Sequence, residues 1–550
     1  MAGDYTVADL VAEFIAACGT GTVFGVASVH NLPMLDGIGR RNQLRFVPAR
    51  GEMGAAHMAD GYARATGELG VVISSTGPGA ANAVGGLVEA RIAGTPMLHI
   101  TSQTSTKYLD REAGTVHDAL DQLGMLRSLS KAAFRVRAPD HVIGILSRAA
   151  TEALSVPTGP VSVEIPIDLQ RTVIERPDTL DNLQIRAAPL HGPTKSDMDE
   201  LTSRVLAAKR PVIYFGSGGR DAGKPMHKLL DMGFGMVSSW KGRGVVRDDH
   251  PMNLSGLQGN GLAAVQEFYK GVDLMLVVGA RMRGHELGEF QVPLPENIVQ
   301  IDADPMANGR TIPAKYFVCA DAALTLEALV PAIREGMSVD ENFPGEFRAL
   351  KEKAHKEFLD SLGVYGTFKE QLQNALPADA IFARDITQST STWGNRIFPL
   401  NSPKGNIYPV SAGIGQGLPL AIGAAAGGAK TLLITGDGGF VLNIGELWTA
   451  VQEQLDLTIV VMNDGGYGVI KKLQNTLHGG RRYFADLTGP DLEALAAMTD
   501  MGYWRCERAD EFANTIAEAV KRAGPNLIEV DMAAIGEFDN YFPFKQPPGS

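Results

Sequence analysis

The stretch "ITGDGGFVLNIGELWTAVQEQLDLTIVVMNDGGYG", Ile434 to Gly468, holds two apolar runs that each stop at an acid among glycines. The first stops at Gly436-Asp437-Gly438-Gly439, the second at Asn463-Asp464-Gly465-Gly466, with a helix-like segment between them. Continuous apolar strands separated by helices read as a parallel sheet covered on both faces. In open sheets of that kind, ligands bind beyond the carboxyl ends of the strands. The two acids therefore arrive, one crossover apart, at the same edge. Glycines there let backbone N–H groups approach an anion, and a helix beginning near Asn443 would point its positive end at it. Two hard carboxylates plus a backbone carbonyl suit Mg²⁺, which keeps phosphate oxygens and water as its other ligands.

The same alternation runs through the chain. Strand-like runs TVFGV, RFVPA, GVVISS, PMLHIT and VSVEIP lead, PVIYFG, DLMLVVG and NIVQIDAD follow, and AIFARD, TLLITG, LTIVVMN and NLIEVDM close it. The expected fold class is α/β, with three doubly wound parallel-sheet domains at 1–172, 190–340 and 365–535. A polar segment at Arg171–Thr194, with Pro177, Pro189 and Pro193, and the stretch Met337–Phe343 just before Pro344 separate them, and "KQPPGS" reads as a loose tail. With 550 residues, 45% hydrophobic, and a net charge of -12, the chain offers no basic surface for nucleic acid or an anionic membrane. No stretch reaches the roughly 20 apolar residues of a membrane span, and "MAGDYTVADLVAEF" lacks the features of a secretory signal. Cys18, Cys319 and Cys506 are scattered, as expected of reduced thiols in a cytoplasmic protein.

The paired turns resemble the thiamine diphosphate (ThDP) signature, Gly-Asp-Gly followed by an Asn-rich turn. Three other passages agree. "VPARGEMGAAHMADGYARATG" resembles the family's "RHEQGAAHAADGYARATG", "SAGIGQGLPLAIGAAAG" resembles "GSMGFGLPAAIGA", and "GVVISSTGPGAANAVGGLVEARIAGTPMLHITSQTS" resembles a further family segment. The chain is identified as a member of the acetolactate synthase-like ThDP enzymes, which include benzaldehyde lyase and oxalyl-CoA decarboxylase. The resemblance implies that Asp437, Asp464 and the carbonyl of Gly466 hold Mg²⁺ on the diphosphate. It places Gly436, Gly438, Gly439, Tyr467 and Gly468 around the cofactor, with Thr387 and Gln388 of "RDITQST" on the phosphate side. Ile414 falls at the wedge that bends the cofactor, and Glu52 at the carboxyl that faces its aminopyrimidine ring. Many relatives carry Asn where Asp464 stands, which alters the charge of the site rather than its geometry.

Substrate-side residues follow the same resemblance. His30 sits where benzaldehyde lyase also has a histidine, His117 lies in a loop that usually holds a Gln or a proton-relay residue, and Gln103 matches the family's "TGQ". Two imidazoles near a reacting carbonyl are natural proton carriers. Leu473 replaces the tryptophan that shapes the acceptor pocket of biosynthetic acetolactate synthases. The implied activity is ThDP- and Mg²⁺-dependent C–C bond formation or cleavage on a 2-oxo acid such as pyruvate, an aldehyde or a 2-hydroxy ketone. A CoA-thioester lyase or decarboxylase, or a non-catalytic nucleotide-binding protein on the same fold, are the alternatives. The central "YFGSGG" leaves FAD, ADP and an empty domain open, FAD being the less favoured. Family members build the site between subunits, which implies a homodimer or homotetramer.

Overall fold

The computed structural model describes residues 4–538, so the expected loose tail lies outside the described residues. Among these, three all-parallel sheets succeed one another along the chain. The N-terminal sheet contains β1 (Thr22–Gly25), β2 (Arg45–Pro48), β3 (Gly70–Ser74), β4 (Met97–Gln103), β5 (Ala132–Arg135) and β6 (Pro160–Pro166). The central sheet contains β7 (Pro211–Phe215), β8 (Gly235–Ser238), β9 (Leu274–Val278), β10 (Ile298–Asp302) and β11 (Tyr316–Cys319). The C-terminal sheet contains β12 (Ile381–Arg384), β13 (Asn406–Ile407), β14 (Thr431–Gly436), β15 (Leu457–Asn463), β16 (Gly502–Cys506) and β17 (Asn526–Asp531).

The first and third sheets have the same topology. Their orders are β2-β1-β3-β4-β6-β5 and β13-β12-β14-β15-β17-β16. In each, the chain runs outward from the first strand and then crosses back to lay the third on its other side. The crevice between those two strands is the switch point at which α/β sheets bind ligands. This kinship of the two domains is invisible as a sequence repeat.

Both faces of the C-terminal sheet are buried, which explains its unbroken apolar runs. Leu432 and Ile434 of β14, with Val460 and Met462 of β15, join a core shared with the central domain. Their neighbours Leu433, Ile459 and Val461 point the other way, into a core shared with Phe24 and Val72 of the N-terminal sheet. The seam of that second core is the helix Glu52–Thr66 laid along the helix Gly417–Ala426. Both are rich in alanine and glycine, so their backbones approach closely: a Cβ on Gly423 would run into the Met58 carbonyl. The sequences that hold the two halves of the expected site are thus locked together within one chain.

Candidate active site

The C-terminal half-site lies at the switch point between β12 and β14. The helix Asp437–Leu442 starts directly after β14 with Gly436 as its N-cap, which corrects the start near Asn443 expected from sequence. The Gly-Asp-Gly-Gly run is a helical first turn rather than a loop, and glycine is needed there because neighbours press on it. A Cβ on Gly439 would stand 2.9 Å from Asp385 Oδ2. Asn443 ends the helix, and its Nδ2 donates to the Gly415 carbonyl at 2.7 Å.

One strand over, the Asp464 N–H donates to Asp437 Oδ1 at 3.4 Å, and Gln388 Nε2 donates to Asp464 Oδ2 at 3.1 Å. Lys471 Nζ donates to the carbonyls of Asp464 and Gly465 at 2.9 and 3.1 Å and closes the turn. The Gly466 carbonyl oxygen lies 3.1 Å from where Gly438 would carry a Cβ, so it faces the first helical turn beside Asp437. Gly468 must be glycine, since a Cβ would collide with the Asp464 carboxylate. Burial, and then the neighbouring Asp437 charge, push the Asp464 carboxyl up to about 6. Burial likewise raises Asp437. Two desolvated acids held together ask for a cation, and the Oε1 of Gln388 beside them is buried without a partner. Among the described residues no cluster of three or more His, Cys, Asp or Glu side chains forms a metal site. Two carboxylates and a carbonyl do, however, offer the hard oxygen donors that suit a small divalent cation.

A cavity of about 810 Å³, open to solvent, extends from Asp464 between Thr387, Gln388, Ile414, Tyr467 and Ile470. Thr387 is committed to its own turn, its N–H donating to Thr390 Oγ1 at 2.9 Å. Ile414 stands on a sharp bend between Ala412 (φ 64°) and Gly415 (φ 81°) and is 41% exposed. The bend is clasped by a residue outside the expected site. Buried Asp385 accepts from the Gly415 N–H with both oxygens, at 3.1 and 2.9 Å, and burial holds its carboxyl up at about 6. The signal was present, because "AIFARD" is a third apolar strand that ends in an acid.

The N-terminal half-site occupies the equivalent edge of its own sheet. Glu52 opens its helix behind Gly51, is 9% exposed, and accepts from Asn82 Nδ2 at 3.2 Å. The start of that helix is held by Glu446 of the C-terminal domain, which accepts from the N–H groups of Arg50 and Gly51 at 3.0 Å each. Glu52 and Ser75 flank Gly79, where a Cβ would stand 2.7 Å from Glu52 Oε1 and 2.6 Å from Ser75 Cβ. Ser75 lies 3.2 Å from His117 Nδ1, and the His117 and His30 rings are 5.1 Å apart. Glu52, His30 and His117 therefore gather at one edge. Gln103 does not join them: it accepts from Thr76 Oγ1 at 3.1 Å and donates to Glu164 at 3.4 Å, inside a buried network with Gln122.

Comparison with known proteins identifies the family. Residues 5–125 match the thiamine pyrophosphate enzyme N-terminal binding domain, 198–329 the central domain and 385–530 the C-terminal binding domain. A probable 2-ketoarginine decarboxylase of Pseudomonas aeruginosa is 30% identical over 503 residues, covering 90% of this chain and 86% of its own. The chain belongs to the thiamine diphosphate enzymes of the acetolactate synthase-like family. Acetolactate synthase isozyme 1 large subunit of Escherichia coli (strain K12) is 28% identical over 551 residues, spanning 96% of this chain and 94% of its own. The isozyme 2 large subunit of the same organism is 28% identical over 554 residues, spanning 99% and 98%.

In this ThDP enzyme no residue of the N-terminal half-site lines the cavity beside Asp464. Apolar side chains around both halves stand in the open: Val29, Val116 and Leu120 on one, Leu442 and Ile470 on the other. A further cavity, about 1350 Å³ and open to solvent, lies against the central sheet between Ile92, Gly218, Arg220, Lys241, Arg283 and Asp302. Among the described residues no helix is long and apolar enough to cross a membrane.

Proposed function

We propose that the chain is a ThDP- and Mg²⁺-dependent enzyme that makes or breaks a C–C bond beside the carbonyl of a 2-oxo acid or 2-hydroxy ketone. The observation that carries this reading is the pair of half-buried acids, Asp437 and Asp464, at neighbouring strand ends of a glycine-lined cleft. Asp437, Asp464 and the Gly466 carbonyl would hold the metal, Gly436, Gly438, Gly439 and Gly468 admit the diphosphate, and Gln388 and Tyr467 flank it. Thr387, bonded within its own turn, would shape the phosphate side. When bound, ThDP supplies an electron sink next to the reacting carbonyl. The protein's part is to bind, bend and manage protons. Ile414, clasped by Asp385, would support the bent cofactor, Glu52 would hydrogen-bond its pyrimidine ring, and His30 and His117 would serve the substrate oxygen.

Glu52 and the metal turn lie on separate edges of one chain, each ringed by exposed apolar groups, so a second copy completes each site. A homodimer is the smallest such assembly, and two dimers give the tetramer. An acidic chain with unpaired Cys18, Cys319 and Cys506 suits the cytoplasm. The proposed chemistry is redox-neutral and needs no flavin, and the central cavity is not part of it. NMR identification of products from ThDP, Mg²⁺ and pyruvate, with and without benzaldehyde, tests the reading. Acetolactate, acetoin or a mixed hydroxy ketone is the expected outcome. Failure to convert any 2-oxo acid or hydroxy ketone, with ThDP bound, refutes it.

A further inference from the structure

The edge that carries Glu52 also carries a chain of hydroxyls whose direction can be worked out. The backbone N–H of His30 donates to Ser28 Oγ at 3.2 Å, and the Ser28 hydroxyl donates to Ser75 Oγ at 2.6 Å. Ser75 Oγ lies 3.2 Å from His117 Nδ1. Ser28 follows β1 and Ser75 follows β3, so the chain spans the switch point of the N-terminal sheet. Ser75 is 2% exposed, and His117 Nδ1 is the acceptor within its reach. Because Ser28 has already given its proton to Ser75, Ser75 has one proton to donate and one place to send it. If His117 instead donated from Nδ1, the Ser75 hydroxyl would accept twice and leave a buried O–H without an acceptor, which folded proteins avoid.

The backbone that carries the imidazole is held in place. His117 is held at φ 63°, and its carbonyl is packed so closely on Gly77 that a Cβ there would collide with it. A left-handed non-glycine residue persists only where its surroundings impose it. His30, across the pair, has a buried Nδ1 with no partner, and burial followed by the neighbouring His117 ring lowers its affinity for a proton. The two rings are therefore not equivalent: one is tied at Nδ1 by a serine, the other is not.

We infer that Ser75, fed by Ser28, is a positioning residue that holds His117 as its Nε2–H tautomer, so that this ring offers a hydrogen-bond donor to the substrate's carbonyl oxygen. This rests on the proposed function for the identity of that oxygen. A donor fixed in place before the reaction stabilises the negative charge that gathers there without reorganising, and no proton need leave the ring.

Nitrogen-15 NMR of sedimented holoenzyme carrying labelled histidine tests the inference, with His117 assigned by comparison with H117Q. The wild-type enzyme is expected to show an unprotonated Nδ1 and a protonated Nε2 at His117. Ser75→Ala should release the ring to a mixture of tautomers and lower kcat by about tenfold while ThDP affinity holds. Ser28→Ala, which leaves the Ser75–His117 bond intact, should keep the wild-type tautomer. A His117 protonated at Nδ1 in the wild-type enzyme overturns the inference, and that spectrum does not depend on any variant folding. The expected tautomer in an enzyme whose kcat is indifferent to Ser75→Ala overturns the role and leaves the tautomer standing. The expected tautomer in a protein that converts no carbonyl substrate places the failure in the proposed function.

Discussion

Replacing Asp464 by Asn should make the cofactor-free protein more stable and the cofactor-bound protein worse. Asp464 is raised to about 6 by burial and by Asp437, against an unfolded value near 3.8. A carboxyl raised in the folded state favours folding when protonated, below about pH 4, and that contribution is lost as pH rises through 6. At neutral pH the charged carboxylate is thus a cost. A shift of about two units corresponds to about 3 kcal/mol, which partial exposure and sharing of the proton with Asp437 reduce to roughly 1–3 kcal/mol. Asn removes the charge and keeps an oxygen toward Gln388. For a cooperative unit the size of the C-terminal domain, that is a rise in Tm of about 2–10 °C. Differential scanning calorimetry at pH 7.5 in EDTA should show it, and the gain should disappear at pH 4. With ThDP and Mg²⁺ the order should reverse, because the wild-type pair gains more from the cation than the Asp–Asn pair does. If Asp464→Asn destabilises the metal-free protein at pH 7.5, or stabilises it equally at pH 4, the two acids do not form the repulsive pair described here.

Glu52→Gln should lower turnover by about 10²–10⁴ with ThDP affinity retained. Co-expressed with Asp437→Asn, it should recover about a quarter of wild-type activity, since half of randomly mixed dimers carry one intact site of two; activity no higher than the separate variants contradicts the shared site. His57 and His99 are buried and held down at about 4 and 3 by desolvation. A histidine lowered in the folded state stabilises above its unfolded pKa and loses that contribution as pH falls. The stability difference between wild type and His57→Gln in urea should therefore shrink by about 2 kcal/mol from pH 7 to pH 5, and a pH-independent difference refutes this. Gly423→Ala should cost about 1–3 kcal/mol by forcing open the seam against Met58, whereas Gly39→Ala, in a helix with nothing within 4 Å of the added methyl, should be neutral or mildly stabilising. Equal urea midpoints for the two variants count against the seam.

Every interior strand of the three sheets is legible as an apolar run, and so is the edge strand β2. Each of the twelve apolar runs of the sequence holds a strand of the structure. The strands that were overlooked, β5, β8, β11, β13 and β16, are all sheet edges. An edge strand has one neighbour and often partial cover, as in β16, where Gly502, Tyr503 and Trp504 are half-buried and Arg505 is exposed, so its composition carries a weaker apolar signal. The site was readable for a similar local reason, since acids and glycines at strand ends are read from a few adjacent residues. Glu446 on the N–H groups of Arg50 and Gly51, and Glu89 on those of Val410 and Ser411 at 2.8 Å each, left no trace, because each joins segments hundreds of positions apart. The Gly436 helix start was misjudged because glycine pairs signal turns, while here they answer close packing by Asp385 and Tyr467.

The account stands on the two acids acting as one metal site for a diphosphate. Calorimetric titration of ThDP into cofactor-stripped protein, once with Mg²⁺ and once with EDTA, reads that most directly. Tight binding with Mg²⁺ that is lost in EDTA, and lost in both conditions on Asp437→Ala, is the predicted result. ThDP binding of equal strength with and without the divalent cation, or unchanged by Asp437→Ala, would contradict it.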